Sequence, residues 1–457
     1  MGVTTLGFGI RDLGFKVSRE RILSFLDRLL LVVFYVTLVI VFLRPSWARF
    51  STAFGHVSLT SARNLALVLC GIWLAGCIVS PRRYFTRSGM EYPLLLFLAA
   101  GVVSAALSPY GSAGDRWTAV GEAAFYGIFF LTGAYLVRTA VSGWTVARIL
   151  VSAASVVAAM DLIYHYRMGI WKIIDQGFPF WDGKNALGLF MVMALCMGSA
   201  LFLTREPISG GSGKGGSGAC SCAMIPCMVL IFLCIVYSYS RGAWLALGAG
   251  VFTFALLRSW KWAVAFLAVA IIVVAFLPHK RVMKRAISTA RLSDYNVTRR
   301  VAVWRDALLM VRSRPLAGVG PGVFRRACPQ FEERQGMREP GREWKGKTRY
   351  REHAHNIFLQ VAAETGIPGA VALVWGIVAV ARAARGRLKD PRDEADLALT
   401  QGITAALVAF AIFSCLDCSW NGRFVGGSFM HINLTVALLL AILVAPGSTP
   451  HVPQGEH

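Results

Sequence analysis

The chain predicts an all-α polytopic integral membrane protein with about twelve transmembrane helices and one large, partly helical loop facing outward. Three observations lead there. Hydrophobic residues make up 56% and charged residues 16% of the 457 positions, with a mean hydropathy of +0.57, outside the range of an ordinary soluble domain. The apolar residues come in runs close to the roughly 20 residues a helix needs to cross a bilayer. The formal charge of +23 is concentrated, with 19 Lys/Arg against 7 Asp/Glu between Pro278 and His353, a net +12.

Taken in order, runs near 23–43, 62–80, 92–107, 117–137, 145–164 and 185–204 predict six spans. The first is too long for a cleavable signal peptide and lacks a small-residue cleavage site after it, so it is expected to stay as an anchor. A Gly/Ser-rich linker, Ser209 to Gly218, separates them from runs near 223–239, 242–257, 262–277, 367–384, 399–416 and 427–445. Helices one to nine then fall in residues 1–277, the large loop in 278–366, and helices ten to twelve with a cytoplasmic tail in 367–457. The short third run and the pair meeting at Arg241 decide the parity, because one long kinked helix there would invert everything after it. Short segments on the side of the N-terminus hold about twice as many Lys/Arg as those opposite, chiefly through Arg382–Arg392 and Arg82, Arg83 and Arg87, so both ends are expected inside. The 278–366 loop then faces outward, which in a bacterial inner membrane is the periplasm.

That loop is too long to be a bare connection. Val301, Trp304, Ala307, Leu308 and Val311 recur at helical spacing before Pro315. The run Leu316 to Phe324 places glycines at 318, 320 and 322, suited to a tight turn but not to a dinucleotide loop, since no strand precedes it and Pro321 interrupts it. Arg325 to Arg351 is dense in Arg, Glu and Gly and is expected to order only against lipid or substrate. His353-Ala-His355-Asn356 then opens a short amphipathic helix, from about Asn356 to Glu364, that Gly366 closes and Pro368 restarts as a membrane helix. A helix start gathers unpaired N–H groups and favours anions, so chemistry is expected at this one.

Other features carry less. Trp171 to Asn185 mixes aromatics and polar groups as a headgroup-zone segment does, and Lys184 and Asn185 open a membrane helix where they can line a polar cavity. The ten cysteines lie mostly in apolar runs as small buried hydrophobes, and the short pairs Cys220/Cys222 and Cys415/Cys418 lack the other half of a zinc site. No metal or cofactor is expected. The charge suits a polyanionic partner such as a lipid-linked phosphate. Nucleic acid is not expected, because no recognition motif accompanies the charge.

Four pieces occur in order: Ser238-Tyr-Ser-Arg241-Gly-Ala-Trp, Arg300-Val-Ala-Val-Trp304, Pro315-Leu-Ala-Gly318-Val-Gly320-Pro-Gly322-Val-Phe324, and His355-Asn356 followed by Gly366. Placed around one large loop after the ninth of twelve spans, they resemble the O-antigen ligase family and, more broadly, its superfamily with O-antigen polymerases and some protein oligosaccharyltransferases. The resemblance covers about the second half of the chain; in the first half it rests on hydropathy and Lys184-Asn185-Ala-Leu-Gly188. It implies a fold similar to the lipid-donor (GT-C-like) glycosyltransferases. It also implies transfer of O-antigen glycan from undecaprenyl diphosphate to a sugar of the lipid A-core during lipopolysaccharide assembly, among membrane lipids on the periplasmic side. A polymerase that lengthens the glycan on its carrier is the alternative, and a lipid or glycan transporter comes third, weakened by the lack of internal repeats.

Such a transfer needs a base near neutrality and fixed positive charge. Imidazole, with an unperturbed pKa of about 6.5, suits the first role, so His355 is expected to deprotonate or orient the acceptor hydroxyl in a single inverting displacement without a metal. By family match Arg241 and Arg300 hold the diphosphate. Lys184, Asn185, His353, Asn356 and Asp417 complete the expected binding set. Each has a plainer reading. His353 and His355 stand two apart and do not share a helical face; Arg241 can simply snorkel to headgroups; Arg299 beside Arg300 leaves open which faces inward; and Asp417 suits a structural salt bridge.

Overall fold

A computed structural model describes residues 19–43, 62–85, 87–167, 183–204, 217–265, 267–268, 295–333, 353–416 and 429–445. Every regular element among them is helical. The first nine are α1 (Arg19–Leu43), α2 (Ala62–Val79), the single turn α3 (Pro81–Tyr84), α4 (Glu91–Leu107), α5 (Ala113–Thr139), α6 (Gly143–Arg167), α7 (Lys184–Leu203), α8 (Ser217–Tyr237) and α9 (Arg241–Arg258). They are followed by α10 (Tyr295–Ser313), α11 (Phe324–Glu333), α12 (Ile357–Lys389), α13 (Glu394–Leu416) and α14 (Phe429–Val444).

Seven of these, α1, α2, α5, α6, α7, α12 and α13, are long and apolar enough to cross a membrane, and α4, residues 224–237 of α8 and residues 430–444 of α14 are shorter apolar helices. The chain is a multi-pass membrane protein. Its spans are apolar around their whole circumference, which is the composition a helix needs when one face packs on protein and the other on lipid. In α1, Leu30, Phe34, Leu38 and Phe42 are fully buried at helical spacing while Val32, Val36 and Val39 lie exposed. Helix α7 is the central one, buried at nearly every position from Ala186 to Ala200. Small residues let its neighbours close in: a methyl group added at Gly188 would stand 2.6 Å from Cβ of Ala243, and one at Gly250 would stand 2.9 Å from Sγ of Cys196.

Contacts sort the helix ends onto two faces. On the first, the Asp27 carboxylate of α1 accepts from the Tyr84 hydroxyl at 2.7 Å and the Tyr135 hydroxyl at 2.9 Å and pairs with Arg83. Also there, Arg387 at the end of α12 pairs with Asp396 and donates to the Ile442 carbonyl at 2.6 Å. On the second face, Arg326 of α11 pairs with Asp115 at the start of α5, and Arg314 donates to the Leu107 carbonyl at 3.3 Å. Helix α9 starts beside Phe413, near the end of α13, and ends where the Leu257 carbonyl accepts from Gln401 near its start. Helices α8 and α9 are therefore two elements broken at Ser238–Ser240, not one kinked rod; Tyr239 there has φ +49°. The expected ninth span, 262–277, extends beyond the described residues, but α9 ends on the first face and α10 lies on the second.

The loop contains more order than the sequence suggests. The first part of the Arg325–Arg351 stretch, expected to order only against lipid or substrate, lies in the helix α11 (Phe324–Glu333), with Ala327, Cys328 and Phe331 buried. In α10 the buried positions are Val303, Asp306, Ala307 and Met310, while Val301 and Leu308, two of the apolar residues at helical spacing, are 55% and 47% exposed. Apolar residues occupy both flanks of α10, so spacing alone does not choose between them; packing against Phe324, Ala327 and Ala363 does. The closure at Gly366 is as expected: its φ of 72° and ψ of −175° interrupt α12, and Pro368 follows inside the continued helix.

Candidate functional site

Three helix starts converge at the second face. Asn356 caps α12 with its side-chain oxygen, accepting from the backbone N–H of Phe358 at 3.0 Å and Leu359 at 3.1 Å. Ser240 caps α9, accepting from Ala243 N–H at 3.2 Å, and donates to the Asn185 side-chain oxygen at 2.7 Å, which ties the start of α9 to the start of α7. The last turn of α13 joins the third. The Asn356 amide donates to the Cys415 carbonyl at 3.4 Å, and a methyl group added at Gly242 would lie 3.0 Å from the Phe413 ring. Each helix start carries the positive end of a dipole. Lys184 and Arg241 are the first residues of α7 and α9, so cationic side chains reinforce that field.

The sequence-predicted residues thus divide. His355, Asn356, Arg241, Asn185 and Lys184 come from elements joined by these contacts. His353 is buried, its ring centroid 4.1 Å from that of His355 at an interplanar angle of 54°. Arg300 is half-buried on α10, one turn before Trp304, whose indole N–H donates to the Ala354 carbonyl at 2.9 Å. That bond fastens α10 to the peptide between the two histidines. Asp417 lies outside the described residues, two positions beyond the Cys415 carbonyl that Asn356 reaches.

His355 has φ +51°. Such a left-handed conformation in a non-glycine residue costs on the order of 1–3 kcal/mol and persists where the surroundings enforce it. The constraint comes from both sides, from the indole on Ala354 before it and from the cap at Asn356 after it.

The glycine motif proves to be structural. Gly318, Gly320, Gly322 and Gly366 all have positive φ, and the turn lies against α12 by backbone hydrogen bonds: Val319 N–H to Ala363 C=O at 2.8 Å, Gly320 N–H to Glu364 C=O at 3.0 Å and Ile367 N–H to Pro315 C=O at 2.7 Å. A Cβ at Gly318 would collide with the Glu364 carbonyl, and one at Gly366 would stand 2.6 Å from the Leu316 carbonyl oxygen. Gly318 and Gly366 serve close backbone approach, whereas an added Cβ at Gly320 would meet the Ser108 and Val323 side chains.

Sequence reasoning missed Gln360 and Glu364. Both are buried. Gln360 accepts from Ala354 N–H at 2.7 Å and donates to the Glu364 carboxylate at 2.9 Å, which also accepts from Phe324 N–H at 3.2 Å. Their signal is two polar residues four apart, hence stacked on one helical face, within an otherwise apolar run. Among the described residues no group of three His, Cys, Asp or Glu side chains is placed to hold a metal ion.

Residues 226–374 match the O-antigen ligase family. The matched stretch begins in α8 and ends in the membrane part of α12, and so holds the Ser238–Trp244 turn, Arg300, the glycine turn and His353–Gly366. This segment is similar to the O-antigen ligase family. No curated protein matches the chain. The matched segment contributes two of the three converging helix starts, those of α9 and α12; the third, Lys184-Asn185 on α7, precedes the match and is joined to it through Ser240.

Proposed function

We propose that the protein is an O-antigen ligase that moves a finished glycan from undecaprenyl diphosphate to a hydroxyl of a lipid A-core sugar, at the periplasmic face of a bacterial inner membrane. The observation that carries this reading is the meeting of the His355 segment and Arg241 with three helix N-termini at one membrane boundary, within a segment of the matching family. A lipid diphosphate presents its charge at that depth, and helix starts with Lys184 and Arg241 supply an environment suited to it. Arg300, on the helix fastened to Ala354, adds a guanidinium fork from the loop side.

The acceptor hydroxyl oxygen attacks the anomeric carbon as the bond to the diphosphate oxygen breaks. The electron pair leaves with undecaprenyl diphosphate, the hydroxyl proton passes to the His355 imidazole, and the anomeric configuration inverts. Arginine charge and helix dipoles offset the charge growing on the leaving group, so the step requires no divalent ion. Asn356 holds the helix start behind His355, and Asn185 fixes the turn that carries Arg241. Asp417 is assigned to orient a cation at the same boundary.

The test is reconstitution of purified protein with lipid-linked donor and lipid A-core acceptor. His355→Ala is expected to abolish transfer while donor binding persists, and Arg241→Ala and Arg300→Ala are expected to weaken donor binding as well. Full transfer by His355→Ala would sink the base assignment. Glycan that lengthens on its own carrier would make the protein a polymerase, and glycan that crosses the bilayer without a new bond would make it a transporter.

A further inference from the structure

We infer that Gln360 is a positioning residue for His355, acting through the backbone of Ala354; the inference rests on the assignment of His355 as the base. Ala354 is fully buried between the two histidines, and both of its backbone polar groups are held by side chains. Its N–H donates to the Gln360 side-chain oxygen at 2.7 Å, and its carbonyl accepts from the Trp304 indole at 2.9 Å. The second bond fixes the peptide plane that enters His355. The first fixes the plane before it. Together the two bonds restrict φ and ψ of Ala354, and with the Asn356 cap on the far side they leave His355 little freedom to depart from φ +51°, which would swing the imidazole away from its place.

Gln360 is itself held. It is 0% exposed, and its amide nitrogen donates to Glu364, which is 1% exposed and also receives Phe324 N–H at the start of α11. The Glu364 carbonyl, in turn, accepts from Gly320 N–H at 3.0 Å. A glutamine suits this position because it accepts on one side and donates on the other. An aliphatic side chain of the same length does neither and leaves the Ala354 N–H buried without its acceptor. The glycine turn, α11 and the Gln360–Glu364 pair therefore form a continuous support behind the histidine segment, with none of its members required to touch substrate.

The experiment compares Gln360→Met, Gln360→Glu and His355→Ala in the reconstituted transfer reaction. Gln360→Met is expected to lower kcat by about 10- to 100-fold, the scale of an ångström-sized misplacement of a reacting group, with the KM and Kd for lipid-linked donor within about threefold of wild type. Gln360→Glu keeps the acceptor for Ala354 N–H and, with one proton shared between it and Glu364 in place of the lost amide donor, is expected to fall between wild type and Gln360→Met. A Gln360→Met protein with kcat within threefold of wild type, while His355→Ala is inactive, would overturn the positioning role and leave the base assignment standing. Parallel loss of donor binding and kcat would also overturn it, since that marks a general structural role. Activity retained by His355→Ala would instead remove the reading on which the inference rests. Should Gln360→Met fail to accumulate in the membrane, Trp304→Phe removes the clamp on the Ala354 carbonyl and is judged by the same split between kcat and donor binding.

Discussion

Replacing Gly318 by alanine tests the claim that the glycine turn is a backbone-to-backbone support and not a ligand cradle. Gly318 has φ +67°, and an added Cβ would lie 2.5 Å from the carbonyl carbon of Glu364 and 2.7 Å from the Gly366 nitrogen. Both obstacles are backbone, so no side-chain rotation relieves them. The left-handed conformation alone costs about 1–2 kcal/mol for an L-residue. Separating the two strands of chain also loosens the bonds from Val319 N–H to Ala363 and from Gly320 N–H to Glu364, each worth about 1 kcal/mol. The expected loss is about 3–4 kcal/mol of local stability. The control is Gly248→Ala, at a helical glycine with nothing within 4 Å of an added Cβ, where alanine is expected to gain about 0.5–1 kcal/mol. Amide hydrogen exchange at Val319, Gly320 and Ile367 reads the local effect, and thermal melting of purified protein reads the global one. Unchanged protection of those amides in Gly318→Ala would refute the reasoning, whatever the variant does to activity.

Other perturbations separate strong contacts from weak ones. Asn356→Ala removes the cap of α12 and its tie to Cys415 and is expected to cost about 1 kcal/mol, seen as faster exchange at Phe358 and Leu359. Asp115→Asn breaks the pair with Arg326, whose side chains are 39% and 47% exposed; the cost is expected to stay below about 1 kcal/mol, so melting at high and low salt should match wild type closely. Gly242→Ala pushes against Phe413 beside Arg241 and is expected to weaken donor binding, with Phe413→Leu restoring it; failure of that rescue would count against the packing account. Transfer is expected to survive chelation of divalent ions, and activity that returns only on adding such an ion would reject the metal-free mechanism.

The sequence by itself determined the membrane class and most of the helix runs, and it nominated His353–Gly366 as the place for chemistry. These are legible because burial in lipid, backbone satisfaction and helix capping are local demands. An apolar run of sufficient length, an Asn before a helix, and a Gly followed by Pro each leave a mark in consecutive residues. The break between α8 and α9 at Ser238–Ser240 could be suspected from Arg241 but was settled by the contacts at the two ends of α9.

Only the tertiary structure decided the rest. Which flank of α10 is buried depended on where α11 and the glycine turn lie, and residues far apart in the chain determine that. Gln360 and Glu364 looked like ordinary polar positions until Ala354, Phe324 and the turn were seen to converge on them. The joining of Asn185 to Ser240, of Gly242 to Phe413 and of Asn356 to Cys415 likewise links stretches separated by dozens of residues. Hydrogen bonds and close packing act over a few ångströms of space, whatever the distance along the chain, so spacing could nominate His355 and Arg241 separately while only folding could bring their helices to one face of the bundle.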